Sequence, residues 1–193
     1  MRDLLQTDRL ILRTLAQSDA PAFSKYANDW DIARMTGSIP HPFPLVSTEI
    51  KILTMLSQKR RGLAHPYSIT EDGVNMIGIM DIFRRSENAD FELGYWVARP
   101  YWGLGYASEA AKALMEEAER TLGVKRFVAG VFADNPASMN VLRKIGFKQT
   151  GSEGPYFSMA RLSHMESLSF ERVIEAKTAN CLQSQAAMLI EAE

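Results

Sequence analysis

The chain has 193 residues and a single cysteine, Cys181, which excludes an internal disulfide. It has no excess charge of either sign: 22 Lys+Arg stand against 23 Asp+Glu, a formal net charge of -1. That balance supplies no basic field for a phosphate backbone or an anionic bilayer, so neither nucleic acid nor membrane is expected as a partner. No apolar run approaches the ~18 residues that a membrane-spanning helix needs. The opening stretch "MRDLLQTDRLILR" breaks its apolar positions with charges too often for a secretory signal, and the expectation is a soluble, cytoplasmic protein. His41, His65 and His164 are scattered without metal-ligand spacing, so no metal site is expected. Internal repeats, low-complexity tracts and linkers are missing as well.

What is present is enough apolar content, 46%, for one sizeable core, and the length is short for two ordinary domains. Arg9 to Thr14 reads as a first strand. Ser18 or Asp19 is placed to cap a short helix with Pro21 in its first turn, and a second short helix is read around Asp29 to Met35. The proline-rich "GSIPHPFPLV" forms a rigid loop, after which Ser47 starts a helix whose Ile50, Leu53 and Leu56 share a face. Asp72-Gly73, between two apolar segments, is a hairpin signal that opens an antiparallel meander.

In "ADFELGYWVARP", alternation sends Phe91, Leu93, Tyr95 and Val97 one way and Glu92, Gly94 and Trp96 the other, until Pro100 stops the strand. Ala107, Ala110, Ala111, Leu114 and Ala118 then make one apolar stripe at helical spacing, closed by Gly123. "KRFVAGVF" reads as a buried strand. Asn135 caps and Pro136 opens another helix, which ends at Gly146. Strand, crossover helix, parallel strand and helix follow in order, and two strands, Tyr156 to Arg161 and Met165 to Glu171, complete the sheet.

Gly103 and Gly105 fall where a strand ends and a helix begins. Bare backbone there either permits a tight turn at positive φ or exposes N–H groups, at the positive end of a helix dipole, to a phosphate. The Gly-Lys-Ser/Thr ending of a nucleotide P-loop is lacking, since Tyr106-Ala107 follow the second glycine. A dinucleotide fingerprint is also disfavoured, because Ser108 stands where a third glycine or an alanine belongs and the motif comes mid-chain after an antiparallel meander.

A third plan remains, recognition of the coenzyme A diphosphate. "TDRLILR", "MIGIMDI", "FELGYWVARPYWGLGYASEA" and "DNPASMNVLRKIGFKQTG" occur in that order, and together they resemble the GNAT superfamily of N-acetyltransferases, in its RimJ/RimL-like branch. The resemblance runs from about Thr7 to Arg172. It implies a mixed α/β fold: a mostly antiparallel sheet flanked by helices, with one parallel pair splayed at the cofactor site. Residues 1–173 would form this domain and 174–193 a tail, in which Leu182, Ala186 and Leu189 have helical spacing.

The resemblance further implies that acetyl-CoA is the co-substrate, its diphosphate wrapped by Trp102, Gly103, Leu104, Gly105, Tyr106 and Ala107. Main-chain groups of Tyr95, Trp96 and Val97 would pair with the pantetheine arm in a gap near Val97 and Val131. Asn135 and Ser138 match the branch's Asn-x-x-Ser element near the sulfur, and Asn140 fits a further cofactor contact. Many relatives place a tyrosine acid where this chain has Leu142. Ser138 is the replacement expected to support the sulfur, with a water as the other option. The implied reaction is direct attack by a primary amine, on a peptide N-terminus or a small molecule. Glu92 is read as a base acting through water or, equally, as a solvent-facing or structural carboxylate; Asp81 stands second. His41 lies in a loop that either borders the amine pocket or merely connects, and Trp30 and Phe43 are read as packing. A monomer or a homodimer fits this reading. A different reading keeps the acyl-CoA cradle in a sensor or interaction module without turnover.

Overall fold

Residues 1–174 are described by the structure, a computed structural model. The elements in chain order are β1 (Leu4–Gln6), β2 (Ile11–Thr14), α1 (Ala20–Ala27), α2 (Trp30–Ala33), α3 (Leu45–Arg60), β3 (Tyr67–Thr70), β4 (Met76–Phe83), β5 (Phe91–Val97), α4 (Tyr106–Leu122), β6 (Arg126–Phe132), α5 (Pro136–Lys144), β7 (Lys148–Ser158) and β8 (Ser163–Val173). The eight strands form one sheet in the order β1-β2-β3-β4-β5-β6-β8-β7. Every neighbouring pair is antiparallel except β5 and β6.

Strand alternation divides the core between the two faces of this sheet. Leu12, Met80, Ile82 and Leu93 pack with Ala110 and Leu114 of α4 and Leu142 of α5. On the opposite face, Ile79 and Trp96 pack with Phe23 of α1, Ile32 of α2, and Ile52 and Met55 of α3. The alternation read along β5 is the one found, since Phe91, Leu93, Tyr95 and Val97 belong to the first layer and Trp96 to the second.

Local signals set the helix ends. Gly123 closes α4 at φ 66, a left-handed cap that releases the chain toward β6. Asn135 Oδ1 accepts the Ser138 N–H at 3.1 Å, with Pro136 opening α5, as its sequence indicates. Asp19 precedes α1 but does not cap it with its side chain; the carboxylate turns back to accept from the Ala16 N–H and from Arg13.

Three expectations are corrected. Helix α3 begins at Leu45 after Pro44, and its buried face is Thr48, Ile52 and Met55; Ile50 and Leu53 are exposed. The helix starts two residues before Ser47, and the polar Thr48, donating its hydroxyl to Pro44 O, takes a core position. A first strand, β1, was not expected; it is only three residues long with a single buried side chain, Leu5. Finally, β7 starts at Lys148 rather than Tyr156, its ladder interrupted by register shifts at Gln149/Gly151 and Ser152/Pro155, and Arg161 lies in the turn before β8. The expected tail helix falls outside the described residues. Among the described residues no helix is long and apolar enough to cross a membrane.

Candidate active site

Strands β5 and β6 share register at two positions only, Phe91 with Phe127 and Glu92 with Val128. Beyond Glu92 they part, while β5 stays paired to β4 through Val97 and β6 to β8 through Phe132. Each strand is therefore held on its outer edge and released on its inner one. Ala98 N–H donates to Ile77 O, so by antiparallel alternation the main chain of Trp96 faces β4, and that of Tyr95 and Val97 faces the gap. The expectation for Trp96 is thereby corrected, because its peptide groups serve the β4 ladder. Val97 O is also occupied, accepting from Trp102 Nε1 at 2.6 Å.

The gap opens into a cavity of about 910 Å³ that reaches both faces of the sheet. Tyr95, Ala107 and Ser138 line it on the α4/α5 side, and Lys51, Asp81 and Glu92 on the side of α1 to α3. At its rim, Gly103 and Gly105 adopt φ 78 and 82. A Cβ on Gly103 would meet nothing within 4 Å, and one on Gly105 only Arg9 Nη2, at 3.6 Å. Left-handed backbone thus forms the turn, and the missing side chains leave the start of α4 uncovered at both positions. Arg9, from the "TDRLILR" segment, fixes the loop by donating to Leu104 O at 2.9 Å and pairing with Glu109 at 2.6 Å.

Residues 9–148 match the acetyltransferase (GNAT) domain family. The chain is 32% identical over 159 residues to the uncharacterized N-acetyltransferase YoaA of Bacillus subtilis (strain 168), which covers 78% of this chain and 86% of the relative. This protein is a GNAT acetyltransferase. Its fold is shared with RimL, a ribosomal L7/L12 alpha-N-protein acetyltransferase solved with coenzyme A, at a TM-score of 0.77 and 23% identity over 90% of this chain and 99% of that one. It is shared equally with Mycobacterium smegmatis RimJ bound to a CoA-disulfide, at 0.76 and 22%, over 88% and 85% of the two chains.

Within the GNAT domain the remaining site residues fall into three groups. Ser138 and Tyr95 meet across the gap, their hydroxyls 2.8 Å apart, and burial pushes the Tyr95 phenol up to about 12. Leu142, one turn further along α5, is fully buried and carries no proton-transferring group. On the opposite face, Glu92 is half-buried and lines the cavity, with Oε1 standing 3.8 Å from where a Cβ on Gly130 would be. Gly130 thus keeps the β6 wall open opposite the carboxylate. Asp81 joins the same face from β4, buried, with Oδ1 accepting the His65 N–H at 2.9 Å.

Other residues are not brought to the cavity. Asn140 is exposed, accepting from Arg143 at 3.4 Å, and is not among the lining residues. The Tyr106 side chain turns away and donates to Glu71 at 2.5 Å, so only its main chain remains for a cofactor. Phe43 is core, whereas Trp30 is 45% exposed and packs edge-on against His41 rather than inside. Sequence reasoning missed Arg9, Gly130 and Lys51. The glycine inside an apolar strand was the available signal for Gly130; Arg9 is a surface-type residue whose partners lie 95 and 100 positions away, and Lys51 is a surface-type residue brought to the cavity by the docking of α3. Arg161 was missed too: it donates to Arg34 O at 2.8 Å and pairs with Asp134 at 2.8 Å, holding the segment after α2 against the cavity.

Proposed function

We propose that this acetyltransferase uses acetyl-CoA to acetylate a primary amine by direct attack, with no covalent enzyme intermediate. The observation that carries the reading is the parting of β5 from β6 immediately beside a bare glycine loop at the start of α4. The loop amides take the diphosphate, and Tyr95 offers main-chain groups to the pantetheine arm, which lays the thioester beside Ser138. Glu92 takes the proton of the incoming ammonium, directly or through water. The neutral amine attacks the thioester carbon, and the proton its nitrogen sheds as the amide forms and the C–S bond breaks passes to the departing thiolate through the Ser138 hydroxyl, which is bonded to Tyr95. The acceptor is a peptide N-terminus or a small-molecule amine, and a cytoplasmic setting fits the single cysteine.

Proximity supplies most of the acceleration, up to ~7–11 kcal/mol, with a positioned base adding roughly 10²–10⁴-fold. Release of free thiol from acetyl-CoA only when an amine is supplied tests the reading, and a panel of peptides, polyamines, aminoglycosides and amino acids finds the acceptor. Coenzyme A binding with no thiol release from acetyl-CoA, whichever amine is supplied, favours a sensor. Glu92→Gln is expected to lower kcat by roughly 10²-fold with coenzyme A affinity unchanged; an unaltered pH–rate profile removes Glu92 from the mechanism. Tyr95→Phe is expected to slow turnover about tenfold, the effect of one hydrogen bond of ~1.5 kcal/mol, again without weakening coenzyme A. Wild-type turnover in that variant excludes the phenol.

A further inference from the structure

On the side of α1 to α3, a carboxyl and an amine line the cavity without forming an ion pair with each other. Asp81 lies on its floor, on β4, opposite Gly94, two residues past the point where β5 leaves β6. Lys51 comes from α3, and its Nζ donates to Ser38 Oγ at 2.9 Å. Among the described residues, Asp81 accepts from a main-chain N–H and Lys51 donates to a hydroxyl, and neither has a side chain of opposite charge bonded to it. Of the other charges lining this side, Asp31 pairs with Arg34 and Arg99 and Asp134 with Arg161, while Glu92, the base of the reading above, faces the cavity from β5.

We propose that Asp81 and Lys51 form a slot for a zwitterionic acceptor, an amine whose neighbouring carbon bears a carboxylate, as in a free α-amino acid. This narrows the acceptor class and rests on the amine-acetylation reading above. The ammonium approaches Asp81 beside the gap, and the carboxylate approaches Lys51. One ligand so placed compensates two partly desolvated groups that the protein leaves uncompensated. A peptide N-terminus offers an amide in place of the carboxylate and leaves Lys51 without an anion. Burial acts on both groups in the direction this requires: it lifts the Asp81 carboxyl to about 8 and lowers the Lys51 ammonium, so a matching ligand restores the charged forms.

The test compares amino acids with their α-carboxamides, in the wild type, Lys51→Met and Lys51→Arg. Initial rates with acetyl-CoA are measured beside calorimetric binding of the same compounds to the protein saturated with coenzyme A. The slot requires the wild type to prefer carboxylate over carboxamide by roughly tenfold or more in kcat/KM and in affinity. Lys51→Met should lose the preference without losing coenzyme A affinity, and Lys51→Arg should retain most of it. Amines acetylated without regard to the carboxylate or to Lys51 overturn the slot and leave the reaction standing. Binding that follows Lys51 without any turnover supports the slot and counts against the reaction. Absence of both binding and turnover with carboxylate-bearing amines overturns the slot.

Discussion

Gly105→Val is expected to weaken coenzyme A binding by roughly 10³-fold, the loss of two to three charge-assisted hydrogen bonds at ~1.5 kcal/mol each. Gly105 sits at φ 82, immediately before the first residue of α4. A β-branched side chain there resists the left-handed conformation and stands where the amides would face a diphosphate. Strain alone is separated from loss of the cradle by Gly123→Val. That residue has φ 66 and open space around it, but it lies at the opposite end of the same helix. Both variants should lose ~1–2 kcal/mol of stability, and only Gly105→Val should lose the cofactor. Calorimetric titration of coenzyme A, with a thermal melt as the folding control, decides it; normal affinity in Gly105→Val rules out the cradle.

Asp19→Ala is expected to destabilise the fold by about 3–5 kcal/mol, because it strands Arg13 in a partly buried position. Asp19 is 4% exposed and receives four hydrogen bonds: two from Arg13, at 2.9 and 2.6 Å, one from the Ala16 N–H at 2.9 Å and one from Ser68 Oγ at 2.7 Å. Arg13 also donates to Gly73 O and Val74 O, so the same pair ties β2 to the β3–β4 turn and to the approach to α1. Burial raises the Asp19 carboxyl, but the Arg13 bonds and the other two donors outweigh it and hold the group below its ordinary value. A carboxylate depressed in the folded state contributes stability above its unfolded pKa of ~3.9, and that contribution is lost as pH falls through the folded value. Urea unfolding of wild type and Asp19→Ala should therefore differ fully at pH 7 and converge as the solution is taken below about pH 4. A constant difference across that range excludes the ion pair as its source.

Much of this fold was legible because the decisive signals are local. Alternation in "FELGYWV" gave the two faces of β5, and the glycine caps and Asn135-Pro136 gave the ends of α4 and α5. The resemblance then supplied the parting of β5 from β6, which periodicity alone does not encode. What escaped was set by tertiary context. Nothing in α3 marks Thr48 as buried and Ile50 as exposed, since its apolar residues occupy more than one face. The start of β7 was hidden by irregular pairing around two glycines. In the site, Ser138 and Glu92 were reached through motif position, whereas the hydroxyl contact to Tyr95 and the role of Arg9 join residues 43 to 100 positions apart, and Lys51 reaches the cavity wall only through the docking of α3. Trp96 was misassigned because the residue-by-residue alternation of peptide groups along a strand, rather than strand membership, decides which of them face the gap.

The opening between β5 and β6 passes through the sheet from one layer of the protein to the other. On the proposed reading, donor and acceptor would use separate doorways, and neither would have to vacate the centre for the other to come in. Steady-state plots at several fixed donor concentrations should intersect, as for a ternary complex, and dead-end analogues of either reactant should still allow its counterpart to bind.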